Sequence, residues 1–189
     1  MRSGTCHCRS YPELIRCYFF YVEDLVQQQE SLSEWQIKSI HQLILENIDD
    51  QHAGIYRKIN VVISGADHLP PDALQVPQDM AAFLGWYQME SGALHPVERA
   101  ARVHCDFVKI HPFVDGNGRT SRLLMNLELM KDGFPPVVIP VERRLAYYEA
   151  LDTAHTRNDY GPFLELICDV VAAGFKPYWH ALGIDPSKD

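Results

Sequence analysis

The chain has 189 residues, a formal net charge of −8 at pH 7 and 47% hydrophobic residues. That length suits one domain with a sizeable core, and no apolar run approaches the roughly 20 residues of a membrane span. The acidic balance argues against nucleic acid as a partner, because a phosphate backbone wants a basic face.

Residues 1–16 match no recognisable pattern and receive no assignment. Met1 to Gly4 is not followed by a signal-type apolar core before Pro12 and Glu13, so a cytoplasmic location is expected. Cys6, His7, Cys8 and Cys17 have an unusual spacing for zinc, and an odd total of five cysteines fits no disulfide framework. Tyr18 to Val26 mixes aromatic and aliphatic residues in a helix-compatible pattern and reads as core. Trp35, Ile37, Ile40, Leu43, Ile44 and Ile48 form the next helical stripe. His41, His52, His95 and His104 stand at no metal-ligand spacing, and His104 is expected to pack.

Asn60 to Ala66 is a β-branched run ending at a glycine, as a short hairpin would, and Pro70 and Pro71 end the pairing. The plainer reading is an ordinary structural hairpin. Further on, Val97, Ala100, Ala101, His104, Phe107 and Val108 recur at three- and four-residue intervals and predict an amphipathic helix. Leu123, Leu124, Leu127 and Met130 do the same, so a second helix is expected to begin near Arg119 or Thr120. Asp132-Gly133-Phe134-Pro135-Pro136 is a helix stop, and helices follow over Arg143 to Ala154 and Pro162 to Ala173. There are no repeats or low-complexity tracts.

Between the two central helices lies His111-Pro112-Phe113-Val114-Asp115-Gly116-Asn117-Gly118-Arg119-Thr120-Ser121-Arg122. Its glycines let successive N–H groups converge where a helix N-terminus favours an anion. Arg119 and Arg122 offer forked donors to phosphate, Asp115 is a hard oxygen ligand for Mg²⁺, and His111 titrates near neutral pH. A Walker loop is excluded because no lysine follows Gly118 and no strand pattern precedes it. A calcium loop starting at Asp115 fails, since Arg119 and Asn126 occupy two ligand positions. Wrong spacing removes a dinucleotide fingerprint. A plain helix–turn–helix corner explains the glycines but not the histidine, aspartate and two arginines together.

The segment resembles the signature of Fic domains, His-x-Phe-x-Asp/Glu-Gly-Asn-Gly-Arg-x-x-Arg, at every fixed position. The resemblance runs from about Leu32 to Phe175. It includes Ala53, Gly54, Tyr56 and Arg57 of an Ala-Gly-x-Tyr-Arg turn, and His95-Pro96-Val97-Glu98 as a helix entry. It implies an all-α fold, a compact helical bundle with one short β-hairpin flap beside the active-site loop, and the periodicity along the chain gives about six to eight helices. Residues 17–180 would be a single domain and 181–189 a tail, without the winged-helix domain found after some relatives.

The activity implied is transfer of AMP from ATP to a Tyr, Thr or Ser hydroxyl of a target protein, and to the chain itself. His111 would be the general base and Asp115 the Mg²⁺ ligand. Gly116, Asn117, Gly118, Arg119, Thr120, Ser121 and Arg122 would surround the phosphates, with Arg122 on the terminal one. Tyr147 and Tyr148 fall near the adenine, and His155 stands where relatives often place an asparagine on the nucleotide. Val62, Ile63, Ser64 and Gly65 would form the flap that docks the target by strand addition. Gly118, which is lysine in the phosphorylating branch resembling the toxin Doc, favours nucleotidylation. The inhibitory Ser/Thr-x-x-x-Glu-Gly/Asn segment of many relatives is not found: Gln42 takes the Ser/Thr place before Glu46-Asn47. Arg122 is therefore expected to be unlatched in cis, the glutamate coming from an inhibitory partner in trans or having been lost. Two alternatives stay open, a hydrolase that removes AMP with the same site and a non-catalytic ATP-binding regulatory module. The choice among ATP, UTP and GTP is also open.

Overall fold

The computed structural model describes residues 22, 24–27 and 30–184. The readings made for residues 1–16, for Cys17 and for Tyr18 to Tyr21 lie outside them. Residues 24–27 are helical, and Leu25 is buried as expected. Seven further α-helices follow among the described residues: α1 (Glu34–Leu45), α2 (Val76–Met89), α3 (Pro96–Ile110), α4 (Asn117–Lys131), α5 (Arg144–Arg157), α6 (Gly161–Gly174) and α7 (Lys176–Leu182). None of them is long and apolar enough to cross a membrane.

Local chemistry sets the starts. A capping box opens α1: the Ser33 hydroxyl accepts from the Gln36 N–H, while the Gln36 side chain accepts from the Ser33 N–H. Pro96 occupies the first turn of α3, and the His95 ring accepts from the Val97 N–H. Asn158 ends α5 in the left-handed region, which asparagine tolerates.

Helices α3 and α4 are the centre of the fold, packed on each other more extensively than any other pair. Every residue of the α3 stripe read from the sequence is buried. One face of α3 and the Met125–Leu129 edge of α4 meet α5 and α6 in a first core around Tyr147, Phe163 and Ile167. Val103, Phe107 and Ile110 on the other face join Leu124 and Leu127 in a second core with α1 and α2. Because two cores cover it, α4 buries Met125, Glu128 and Leu129 beyond the expected stripe. Glu128 is satisfied there by Tyr87, Arg99 and Lys131.

Two expectations need correction. The helix containing Ile37 and Ile40 stops at Leu45, and Trp35 and Ile48 are 68% and 66% exposed; Gln36 and His41 take the buried positions instead. The hairpin does not form: residues 60–71 contain no strand, only a turn at Ile63–Ala66. The return arm explains this. Pro70 and Pro71 have no N–H, and those of Asp67 and His68 donate to the Asp152 carboxylate rather than to an opposite strand.

Candidate active site

The loop from His111 to Gly116 joins the C-terminus of α3 to the N-terminus of α4, and three buried side chains hold it. His111 itself caps α3 in the left-handed region at φ 51°, a conformation that a non-glycine residue keeps only when its surroundings impose it. Arg57, 3% exposed, donates from Nε to the His111 carbonyl at 2.8 Å, and its own N–H donates to the Pro112 carbonyl at 2.9 Å. Asn117 laces the loop from inside: its Oδ1 accepts from the Phe113 N–H and its Nδ2 donates to the Phe113 carbonyl, at 2.9 and 2.8 Å.

His41 is the third clamp. Its Nδ1 accepts from the Gly54 N–H at 2.8 Å, so the ring proton is on Nε2, which donates to the Asp115 carbonyl at 2.9 Å. The ring stacks on Phe113 with centroids 3.5 Å apart. Burial lowers its pKa, which keeps it in this neutral form. Gly116, at φ +78°, lies against that ring: a Cβ there would sit 3.1 Å from His41 Nε2. The sequence showed His41 only as a histidine without metal partners, and its role comes from folding α1 beneath the loop.

His111 points Nδ1 at the Val108 carbonyl, 3.4 Å away. A carbonyl only accepts, so Nδ1 carries the proton and Nε2 keeps a free lone pair. Burial, more than the nearby Arg57, lowers the His111 pKa, so the free base predominates at neutral pH. Helix α4 starts at Asn117, earlier than expected, because the Gly116 carbonyl already accepts from the Thr120 N–H at 2.9 Å. The N–H groups of Asn117, Gly118 and Arg119 therefore have no acceptor within the helix and form the positive end of its dipole.

Around this end stand three charged side chains. Asp115 and Arg119 form an exposed pair at 3.0 Å, and Arg122 extends from the next turn. Arg122 lines a cavity of about 400 Å³ with Ile139, Val141, Arg144, Tyr147 and Tyr148. Tyr147 is only 6% exposed. Its hydroxyl meets His104 Nε2 at 2.9 Å, and burial raises its pKa to about 12 against the opposing effect of Arg122. Tyr148 is half exposed beside it, with the Arg144 guanidinium 5.5 Å from its ring. His104 packs as expected, buried and stacked on Phe163.

Three expected nucleotide contacts are not brought to this cavity. Thr120 and Ser121 are fully buried, and their hydroxyls donate to the carbonyls of Gly116 and Gly118 within the first turn of α4. His155 lies in the interior, donating from Nε2 to the Cys105 carbonyl and packed edge-on against His68. The flap residues lie at the surface: Val62 is 77% exposed, and Ser64 and Gly65 are also exposed.

A model of the Fic/DOC family matches residues 31–129. The protein adenylyltransferase Fic of Nematostella vectensis is 43% identical over 144 residues, 76% of this chain and 33% of that protein. Its namesake in Drosophila melanogaster is 41% identical over 150 residues, 79% of this chain and 30% of that protein. The chain thus spans about a third of the length of these relatives. Among solved structures, Fic-1 (residues 134–508) from C. elegans superimposes with a TM-score of 0.79 at 30% identity, covering 95% of this chain and 55% of that one. The helical fold, the family match and the histidine–glycine–arginine loop agree, and the chain belongs to the Fic/DOC family.

Proposed function

We propose that the chain is a protein adenylyltransferase, moving AMP from ATP to a Tyr, Thr or Ser hydroxyl of a target protein, itself included. One observation carries this reading: a neutral imidazole with a free Nε2 stands at one end of a loop whose other end is a phosphate-type cradle with two arginines. The names and the identity of the relatives support it. The triphosphate lies against the open N–H groups of α4, with Arg119 assisting and Arg122 on the terminal phosphate. The base faces Tyr148 and the edge of Tyr147. The target hydroxyl gives its proton to His111 Nε2 as its oxygen attacks the α-phosphorus. The bond to the bridging oxygen breaks and pyrophosphate leaves.

Gly118 supports nucleotidyl over phosphoryl transfer. A Cβ there would lie 3.4 Å from an Arg122 nitrogen, so a lysine would bring a second cation against the guanidinium. The donor set also fits Mg²⁺. The Asp115 carboxylate is 68% exposed at the loop tip, and no cluster of three ligands exists among the described residues. A single carboxylate with substrate phosphates and water is an ordinary Mg²⁺ arrangement, and the ion would neutralise phosphate charge. The backbone of Val62, Ile63, Ser64 and Gly65, which belongs to no strand, is proposed to dock the target as an added strand. No carboxylate forms an ion pair with Arg122 among the described residues.

The test is incubation of the chain with Mg²⁺ and ATP, read by intact mass beside His111→Ala. A gain of one AMP, lost in the variant while ATP binding persists, is the expected result. A gain of a lone phosphate, or an AMP gain that survives in the variant, overturns the reading.

A further inference from the structure

We infer that Arg57 is a positioning residue that ties the flap to the histidine proposed as the base through one buried guanidinium, an inference that rests on the assignment of His111. Its three nitrogens address three carbonyls, one just ahead on its own segment and two on distant ones. Nε donates to the His111 carbonyl at 2.8 Å, Nη1 to the Ile59 carbonyl at 3.0 Å and Nη2 to the Pro71 carbonyl at 2.5 Å. Ile59 immediately precedes, and Pro71 ends, the stretch 60–71 that carries the flap residues. His111 caps α3 and opens the loop, so its carbonyl has passed beyond the α3 ladder.

Burying a cation costs several kcal/mol unless it is well satisfied, and Arg57 forms no ion pair among the described residues. Neutral carbonyls satisfy it, with Asp72 as the nearby charge that favours its cationic form. The planar fork suits this task, since it reaches three acceptors in fixed directions while an ammonium is a point charge. The flap has other anchors that bypass His111. Asn60 joins Asp72 at 2.9 Å and accepts from the Ala73 N–H, and Asp152 accepts from Asp67 and His68. Among the described residues, the Arg57 guanidinium alone bonds both Ile59 and Pro71 and the carbonyl of a histidine held in the left-handed region. A target strand seated on residues 62–65 is thereby held in register with the imidazole that must take its proton.

The test compares Arg57→Lys with Asn60→Ala, both with His111 intact. In Arg57→Lys, ATP affinity stays within about twofold. The transfer rate at saturating ATP falls on the order of 10- to 100-fold, the effect of a misplacement near 1 Å. Two readouts need no transfer: the NMR titration of the His111 ring, and hydrogen exchange of residues 59–71. Both move together in Arg57→Lys, whereas Asn60→Ala speeds flap exchange and leaves the His111 titration unchanged. An Arg57→Lys chain with a faster flap but wild-type titration and rate overturns the inference and leaves Arg57 as a local structural anchor. If the wild-type chain transfers no AMP, the proposed function fails, yet the titration and exchange still decide the coupling. Should Arg57→Lys not fold, native-state exchange of the unmodified chain decides it. The amides of Arg57, Ala73 and His111 open with one common free energy if the tie is real, and with separate ones if it is not.

Discussion

Replacing Gly116 by alanine isolates the contact on which the loop's shape depends. At φ +78° an added Cβ suffers the left-handed penalty, and it also meets His41 at 3.1 Å (Nε2) and 3.3 Å (Cδ2). The ring cannot yield cheaply, because it is hydrogen-bonded at both nitrogens and stacked on Phe113. The backbone term is about 1–2 kcal/mol, and giving up the bond to Asp115 adds about 1, so the loss is about 2–3 kcal/mol. Two other glycines separate these contributions. Gly65 has φ +81° with nothing within 4 Å, so its alanine variant loses at most the backbone term. Gly118 lies outside the positive-φ region and would meet only the flexible Arg122 side chain, so its alanine variant is nearly neutral in stability. Urea denaturation of the three variants measures the order Gly116 > Gly65 > Gly118, and AMP transfer should fail selectively in Gly116→Ala. If Gly116→Ala loses no more than Gly65→Ala, the His41 contact is energetically empty. If Gly118→Ala loses as much as Gly116→Ala, the whole argument is wrong.

Acid should destabilise the fold through its interior histidines. Burial lowers the pKa of His104 to about 3 and of His155 to about 4, while in the unfolded chain both titrate near 6.5. The unfolded state therefore binds more protons below pH 6.5, and stability falls as pH falls, by roughly 1.4 kcal/mol per pH unit for each histidine. The slope is only half developed at pH 6.5, so denaturation at pH 6.5 and pH 5 should differ by about 3 kcal/mol for the pair, and His155→Gln should remove about half of that difference. Tyr147→Phe takes the hydroxyl from His104 and leaves a ring nitrogen unpaired in the core. The expected loss is about 1–3 kcal/mol by calorimetry, with ATP affinity little changed because the ring stays.

The helical bundle and the centre of the site were legible in the chain because both are local. The α3 stripe needs only a periodicity, and the His111–Arg122 motif packs a histidine, a carboxylate, glycines and two arginines into twelve residues from the end of α3 into the first turns of α4. Hydropathy also carried the absence of any membrane-length apolar helix among the described residues. What the motif cannot encode is which distant groups hold it. His41 is 74 residues from the Asp115 carbonyl it supports, and Arg57 is 54 from the His111 carbonyl. A run of β-branched residues predicts a hairpin, but pairing depends on the opposite arm, where prolines and the Asp152 carboxylate remove the donors. Thr120, Ser121 and His155 have the right chemistry for a nucleotide. Their exposure depends on how α3, α4 and α5 pack, and that packing turns their polar atoms toward backbone carbonyls inside the fold. Residue types and short spacings thus determined the chemistry available. Burial and long-range hydrogen bonds, which exist only in the folded chain, decided which of those groups face the site and which hold it in shape.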